Sequence, residues 1–255
     1  MLRLFRGWLF GALALTLAAP SHAAPPPAEP ASIVLVHGAF ADGSSWSRVI
    51  PLLQQRGYRV TAVQLPLTSL ADDVAATRRV LDRQPGPVVL VGHSWGGVVV
   101  SEAGNAPQVK AVVYLSALVP DSGESAQALL QRLDAPMQGL APDAAGLIWL
   151  DDARAFREVM AGDLPPATAA ALAAVQKPLA ARAFTEAVSH AAWHDKPSWY
   201  LVTSRDHALP PRTQRLIAQQ VRAHTQELVS SHLSMASHPE VVARLIERAA
   251  TQAGR

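Results

Sequence analysis

The chain alternates short, unbroken apolar runs with longer segments whose apolar residues recur every three or four positions. Unbroken runs rich in Val, Ile and Leu fit strands buried on both faces, and the spaced patterns fit helices lying against them. The runs at 33–36, 58–65, 87–91, 110–116, 198–203 and 225–229 predict six strands. Helical patterns at 46–56, 69–84, 98–103, 211–223 and 239–250 fall between and after them. Ser69 predicts an N-cap for the second helix, with Asp72 and Asp73 in its first turn. Val241, Val242, Leu245 and Ile246 share one face of the last helix. Repeated strand–helix units predict one α/β domain over 31–255, built on a mostly parallel sheet of at least six strands with helices on both faces.

One stretch breaks the alternation. Residues 121–197 contain no convincing strand but several helical patterns, at 126–133, 152–160, 167–176 and 179–190. Ordinary crossovers are far shorter. The stretch therefore predicts an inserted helical cap over the carboxyl ends of the strands, where open α/β sheets bind their ligands.

Composition narrows the function. The chain is 255 residues long, 49% hydrophobic and 16% charged, enough to bury a large core. Residues 1–23 carry Arg3 and Arg6, an apolar run at 7–19, and Ser21-His22-Ala23, which together predict a cleaved secretory signal peptide. The run is too short to span a bilayer, so no stable membrane anchor is expected. The expected location is the periplasm or the extracellular medium. Residues 24–30, with four prolines, predict an extended leader. Without residues 1–23, the chain keeps 20 basic and 20 acidic side chains. Such a balance argues against nucleic acid as a partner. There is no Cys, hence no disulfide or thiolate chemistry.

The chemistry starts at Gly92-His93-Ser94-Trp95-Gly96, between the third strand and its helix. A sharp strand-to-helix turn holds a serine out from the backbone, and glycines two before and two after let strand and helix approach. Ser94 is thus the candidate nucleophile, and it needs a base and an acid that orients the base. His232 follows the sixth strand and Asp206 follows the fifth, each on a loop at a carboxyl end, and they are the candidate base and acid. Asp121, after the fourth strand, is the alternative acid. His207, beside Asp206, is expected to point away from the site. An oxyanion needs backbone N–H donors. Trp95 supplies one, and the loop His37-Gly38-Ala39-Phe40 supplies the other through Ala39 or, alternatively, Phe40. The Phe40 and Trp95 side chains either line a substrate pocket or pack in the core.

Together these residues resemble the α/β-hydrolase superfamily over nearly all of 31–255. The span from His37 to Trp46, with a Trp nine residues after the His, is similar to the branch of plant methylesterases, hydroxynitrile lyases and related bacterial esterases. The resemblance implies Ser94, Asp206 and His232 as triad and Ala39 as an oxyanion donor. Lyases of this branch carry Lys directly after the catalytic His, whereas Leu233 stands there here. The expectation is a cofactor-free serine hydrolase acting on a small carboxylic ester. No HExxH zinc motif, P-loop or GxGxxG follows a strand, so neither metal nor nucleotide is expected. The alternatives are a carbon–carbon bond hydrolase or lyase with the same triad, or a ligand-binding protein that retains it.

Overall fold

The computed structural model describes residues 31–136 and 139–253. The signal and leader expected at 1–23 and 24–30 lie outside the described residues. A six-stranded, wholly parallel sheet forms the centre, from β1 (Ser32–Val36), β2 (Arg59–Ala62), β3 (Val88–His93), β4 (Val109–Leu115), β7 (Ser198–Thr203) and β8 (His224–Leu228). Their order is β2-β1-β3-β4-β7-β8. β1, β3 and β7 are buried throughout, as is β4 apart from Lys110. The edge strands β2 and β8 are partly exposed and carry polar residues, which explains why their sequence signal is weaker.

The helices follow from the spaced patterns. α1 (Ile50–Gln55) and α9 (Pro239–Ala253) pack together, with α9 against β3, β4 and β7. α2 (Leu70–Leu81) and α3 (Gly96–Ala103) pair with each other, and α3 lies on β1, β3 and β4. α7 (Pro211–Gln220) lies on β7. Ser69 caps α2 as expected, its Oγ accepting the Asp72 N–H at 2.9 Å. The single helix expected at 46–56 is divided. A 3-10 turn covers Gly43–Trp46 and α1 begins at Ile50, with Pro51 in its first turn, where a missing N–H costs nothing.

Between β4 and β7 lie α4 (Ala126–Arg132), β5 (Leu147–Ile148), α5 (Ala153–Met160), α6 (Pro166–Ala174) and β6 (Leu179–Ala180). Two sequence expectations fail here. β5 and β6 form a small antiparallel pair, although no strand was expected in this stretch. The helix expected at 179–190 is instead β6, a 3-10 turn at Ala181–Thr185 and irregular chain. The Ala180 N–H bonds to the Leu67 carbonyl at 2.9 Å, and backbone pairing of this long-range kind is invisible to local periodicity.

The connections position the site. From β1 the chain moves outward to β2, then returns to place β3 on the other side of β1. At that switch point the loops leaving β1 and β3 diverge, opening a crevice at the carboxyl ends of both strands.

Candidate active site

At the end of β3 the chain turns abruptly. Ser94 has φ of 53°, a left-handed conformation that a serine adopts only where its surroundings enforce it. Two glycines make the turn feasible. A Cβ on Gly92 would lie 2.5 Å from the Gly96 carbonyl oxygen, and one on Gly96 would lie 2.6 Å from that of Val36. Strand, turn and neighbouring strand are therefore closer than any side chain permits. Ser94 is half-buried, and it lines a cavity of about 600 Å³ together with Ala39, Phe40, Trp95 and His232.

His232 follows β8 and precedes α8 (Ser234–Ser237). Its Nδ1 lies 2.6 Å from Asp206 Oδ2, with both side chains buried. Asp206 is fully engaged. Oδ1 accepts the N–H groups of Ala208 and Leu209, each at 2.8 Å. Oδ2 also accepts from Thr203 Oγ1 at 2.8 Å and Gln214 Nε2 at 2.9 Å. Hydrogen bonds of this kind fix the carboxylate's orientation and hence which oxygen meets the imidazole. On the other edge of the ring, buried His232 Nε2 has no hydrogen-bond partner among the described residues. A buried, unpartnered nitrogen is rare in folded proteins, and this one lies in a residue of the cavity wall.

Two further histidines are held neutral. His37, buried at the end of β1, accepts the Leu65 N–H on Nε2 at 3.0 Å and donates from Nδ1 to the Gly38 carbonyl at 2.9 Å. Burial lowers its pKa to about 4. His93 is also buried, and desolvation with the nearby His232 holds it well below the ordinary histidine range. Its Nε2 lies 3.1 Å from the His232 carbonyl oxygen, and the two rings are 4.6 Å apart. His93 therefore packs against His232, a contact its place in the serine motif did not disclose.

Each residue expected at the site takes a definite position. Ala39, Phe40 and Trp95 all reach the cavity wall, with Phe40 at φ 56°. No hydrogen bond from the N–H groups of Ala39, Phe40 or Trp95 is made among the described residues. The Trp95 indole packs 5.5 Å from Phe184 and donates to Asp73 Oδ2 at 2.8 Å. Asp73 is wholly buried, and desolvation pushes its pKa up to about 6 even though it also accepts the Leu67 N–H. The sequence offered Asp73 only as an acid in the first turn of α2. Asp121 makes no hydrogen bond to His232; it lies half-exposed and bonds His194 at 2.7 Å. His207, expected to point away, is exposed yet contributes to the cavity lining, with its Nδ1 3.0 Å from the Glu158 carbonyl oxygen.

Comparison with known proteins agrees with this architecture. Residues 33–245 match the model of the Alpha/beta hydrolase family. The alpha/beta hydrolase nvfD of Aspergillus novofumigatus is 27% identical over 244 residues, covering 87% of this chain and 97% of that protein. Methylesterase 1 of Arabidopsis thaliana is 32% identical over 120 residues, a match that spans 41% of this chain and 46% of the plant protein. Among solved structures, a pyrethroid hydrolase from Sphingobium faniae JZ-2 superposes with a TM-score of 0.74 at 23% identity, over 87% of this chain and 97% of that one. With an elbow serine, a parallel sheet and a family match that spans most of its length, the chain belongs to the Alpha/beta hydrolase family.

Proposed function

We propose that this protein hydrolyses small carboxylic esters through an acyl-enzyme on Ser94. Reaction begins when His232 Nε2 takes the Ser94 proton as Oγ attacks the ester carbonyl carbon. The resulting oxyanion sits against the N–H groups of Ala39 and Trp95. Collapse breaks the bond to the alkoxide, which leaves with the proton from His232 and leaves an acyl–Oγ ester. Water, deprotonated by His232, attacks that ester and releases the acid, and the proton returns to Ser94. Asp206 keeps the imidazole in the tautomer with Nδ1 protonated and stabilises its charged form.

A single observation carries the reading. Ser94, in its left-handed conformation, and His232, whose Nδ1 lies 2.6 Å from buried Asp206, line one cavity whose walls are largely apolar. The methylesterase relative supports an ester substrate. Leu233 supports hydrolysis over cyanide release, since this side chain is buried and uncharged. Phe40, Trp95 and Phe184 support an apolar or aromatic acyl or alcohol group. The segment at 1–23 supports export to the periplasm or beyond; N-terminal sequencing of protein recovered from those fractions tests it.

The deciding experiment is a panel of p-nitrophenyl esters of increasing acyl length, with Ser94→Ala alongside. The parent is expected to show a burst of p-nitrophenol and the variant none. Equal turnover by both would refute the assignment of the nucleophile.

A further inference from the structure

The turn that follows α5 touches the base-bearing loop at several points. Asp163 Oδ2 accepts the Ser231 N–H at 3.0 Å and the Ser230 hydroxyl at 3.1 Å, while Oδ1 accepts the Ser231 hydroxyl. The Met160 carbonyl accepts the Leu233 N–H at 3.0 Å and the Ser231 hydroxyl at 3.2 Å. His232 is thus flanked on both sides by residues anchored to one short segment, 160–163. The same end of α5 holds the acid-bearing loop through the contact of His207 with the Glu158 carbonyl. Buried Ser230, Ser231 and His232 belong to the sheet side of the molecule, whereas 153–163 belongs to the stretch between β4 and β7.

A carboxylate suits this place. A loop that must present a side chain to within a few tenths of an ångström needs its backbone fixed, and one carboxylate can accept from several donors at once. Burial alone would raise the Asp163 pKa, but the hydrogen bonds from Ser231, Ser237 and Ser230 hold it below the usual range. His238 Nδ1 lies 3.7 Å from Oδ2 and bonds the Ser237 hydroxyl at 2.9 Å, so the remaining side of the carboxylate faces a titratable group. Asp163, Ser230 and Ser231 do not line the cavity, although Met160, at the other end of the segment, does.

We propose that Asp163 is a positioning residue, which fixes the 230–233 loop so that His232 Nε2 meets the Ser94 hydroxyl. The inference rests on the triad reading above. It separates transition-state alignment from substrate binding, since the residue touches the base loop but not the pocket. Displacing the base by about 1 Å is worth on the order of a 100-fold loss in rate.

The test uses the full chain and p-nitrophenyl butyrate, with kcat and KM measured separately and inactivation by a fluorophosphonate as a second readout. Asp163→Ala is expected to lower kcat about 10- to 100-fold, leave KM within about twofold, and slow phosphonylation of Ser94 by a similar factor. Asp163→Asn, which retains one acceptor oxygen, is expected to lie between parent and alanine variant. If Asp163→Ala does not fold, Ser231→Ala leaves the carboxylate in place and is expected to lower kcat a few-fold at unchanged circular dichroism. A folded variant with the parental kcat and phosphonylation rate, or with the loss confined to KM, overturns the proposal. Ser94→Ala distinguishes the two levels. Turnover in that variant refutes the triad, whereas an inactive Ser94→Ala beside a fully active Asp163→Ala refutes only the role of Asp163.

Discussion

Asp206 Oδ2 meets His232 Nδ1 at 2.6 Å although 26 residues separate them in the chain. The contact is made by two loops at the carboxyl ends of adjacent parallel strands, β7 and β8, so the parallel register itself carries the pair together. Asp206→Asn keeps the shape but removes the charge and lets an amide face the imidazole, favouring the wrong tautomer. Its kcat on an activated ester is expected to fall about 10³- to 10⁴-fold with a smaller change in KM. A loss under tenfold in a folded variant would show that another group orients His232.

Gln214 is the second support of the acid. Its side-chain amide donates to Asp206 Oδ2 and to the Leu209 carbonyl at 2.7 Å, while its oxygen accepts the Thr203 N–H. Gln214→Leu strands these buried groups. The expected cost is about 1–3 kcal/mol in urea unfolding, with a reduced kcat. Unchanged stability together with unchanged kcat would contradict the network.

The elbow glycines resist substitution for a steric reason. A Cβ on Gly96 would press on the backbone oxygens of Val36, at 2.6 Å, and His37, at 2.7 Å, neither of which can move without shifting β1. Gly96→Ala is expected to destabilise the fold by roughly 1–3 kcal/mol, the cost of overpacking, and to lower kcat more than KM. A melting temperature equal to the parent's would show that the turn relaxes freely.

Acid lability follows from the buried neutral histidines. His37 is lowered to about 4 from the ordinary 6.5, and His93 is lowered further still by burial. In the unfolded chain both bind a proton near pH 6.5, so their contribution is complete above that pH and is lost as pH falls through it toward the folded value. For His37 the loss is on the order of 3 kcal/mol. Asp73 opposes this trend. Its pKa, raised to about 6, makes the fold relatively more stable as pH falls from 6 toward 3.8. Two histidines against one carboxylate predict a net fall in melting temperature between pH 7 and pH 4.5. A flat profile would refute the assignment of neutral imidazoles.

The proposed ester specificity is tested at the aromatic wall of the cavity. Phe184 packs on the Trp95 indole and lines the cavity, so Phe184→Ala should enlarge it. Activity across p-nitrophenyl esters is expected to shift toward longer or bulkier acyl groups, read as the ratio of kcat/KM for octanoate to that for acetate. An unchanged ratio would place the acyl group elsewhere.

Local patterns account for the parts of this protein that local physics governs. Unbroken apolar runs marked β1, β3, β4 and β7, because a strand covered on both faces needs apolar residues at every position. Ser69 marked the start of α2, because a cap acts within one helical turn. Gly92, Ser94 and Gly96 marked the elbow, because its steric demand falls on neighbouring residues. The β5–β6 pair, the anchoring of Trp95 by Asp73, the contact of His93 with His232, the anchoring of Ser231 by Asp163, and the place of His207 in the cavity lining carried no such mark. Each depends on groups far apart in the chain, and only packing decides which buried donor meets which acceptor. The identity of a side chain states what it can bond; its neighbours in the folded protein decide what it does bond.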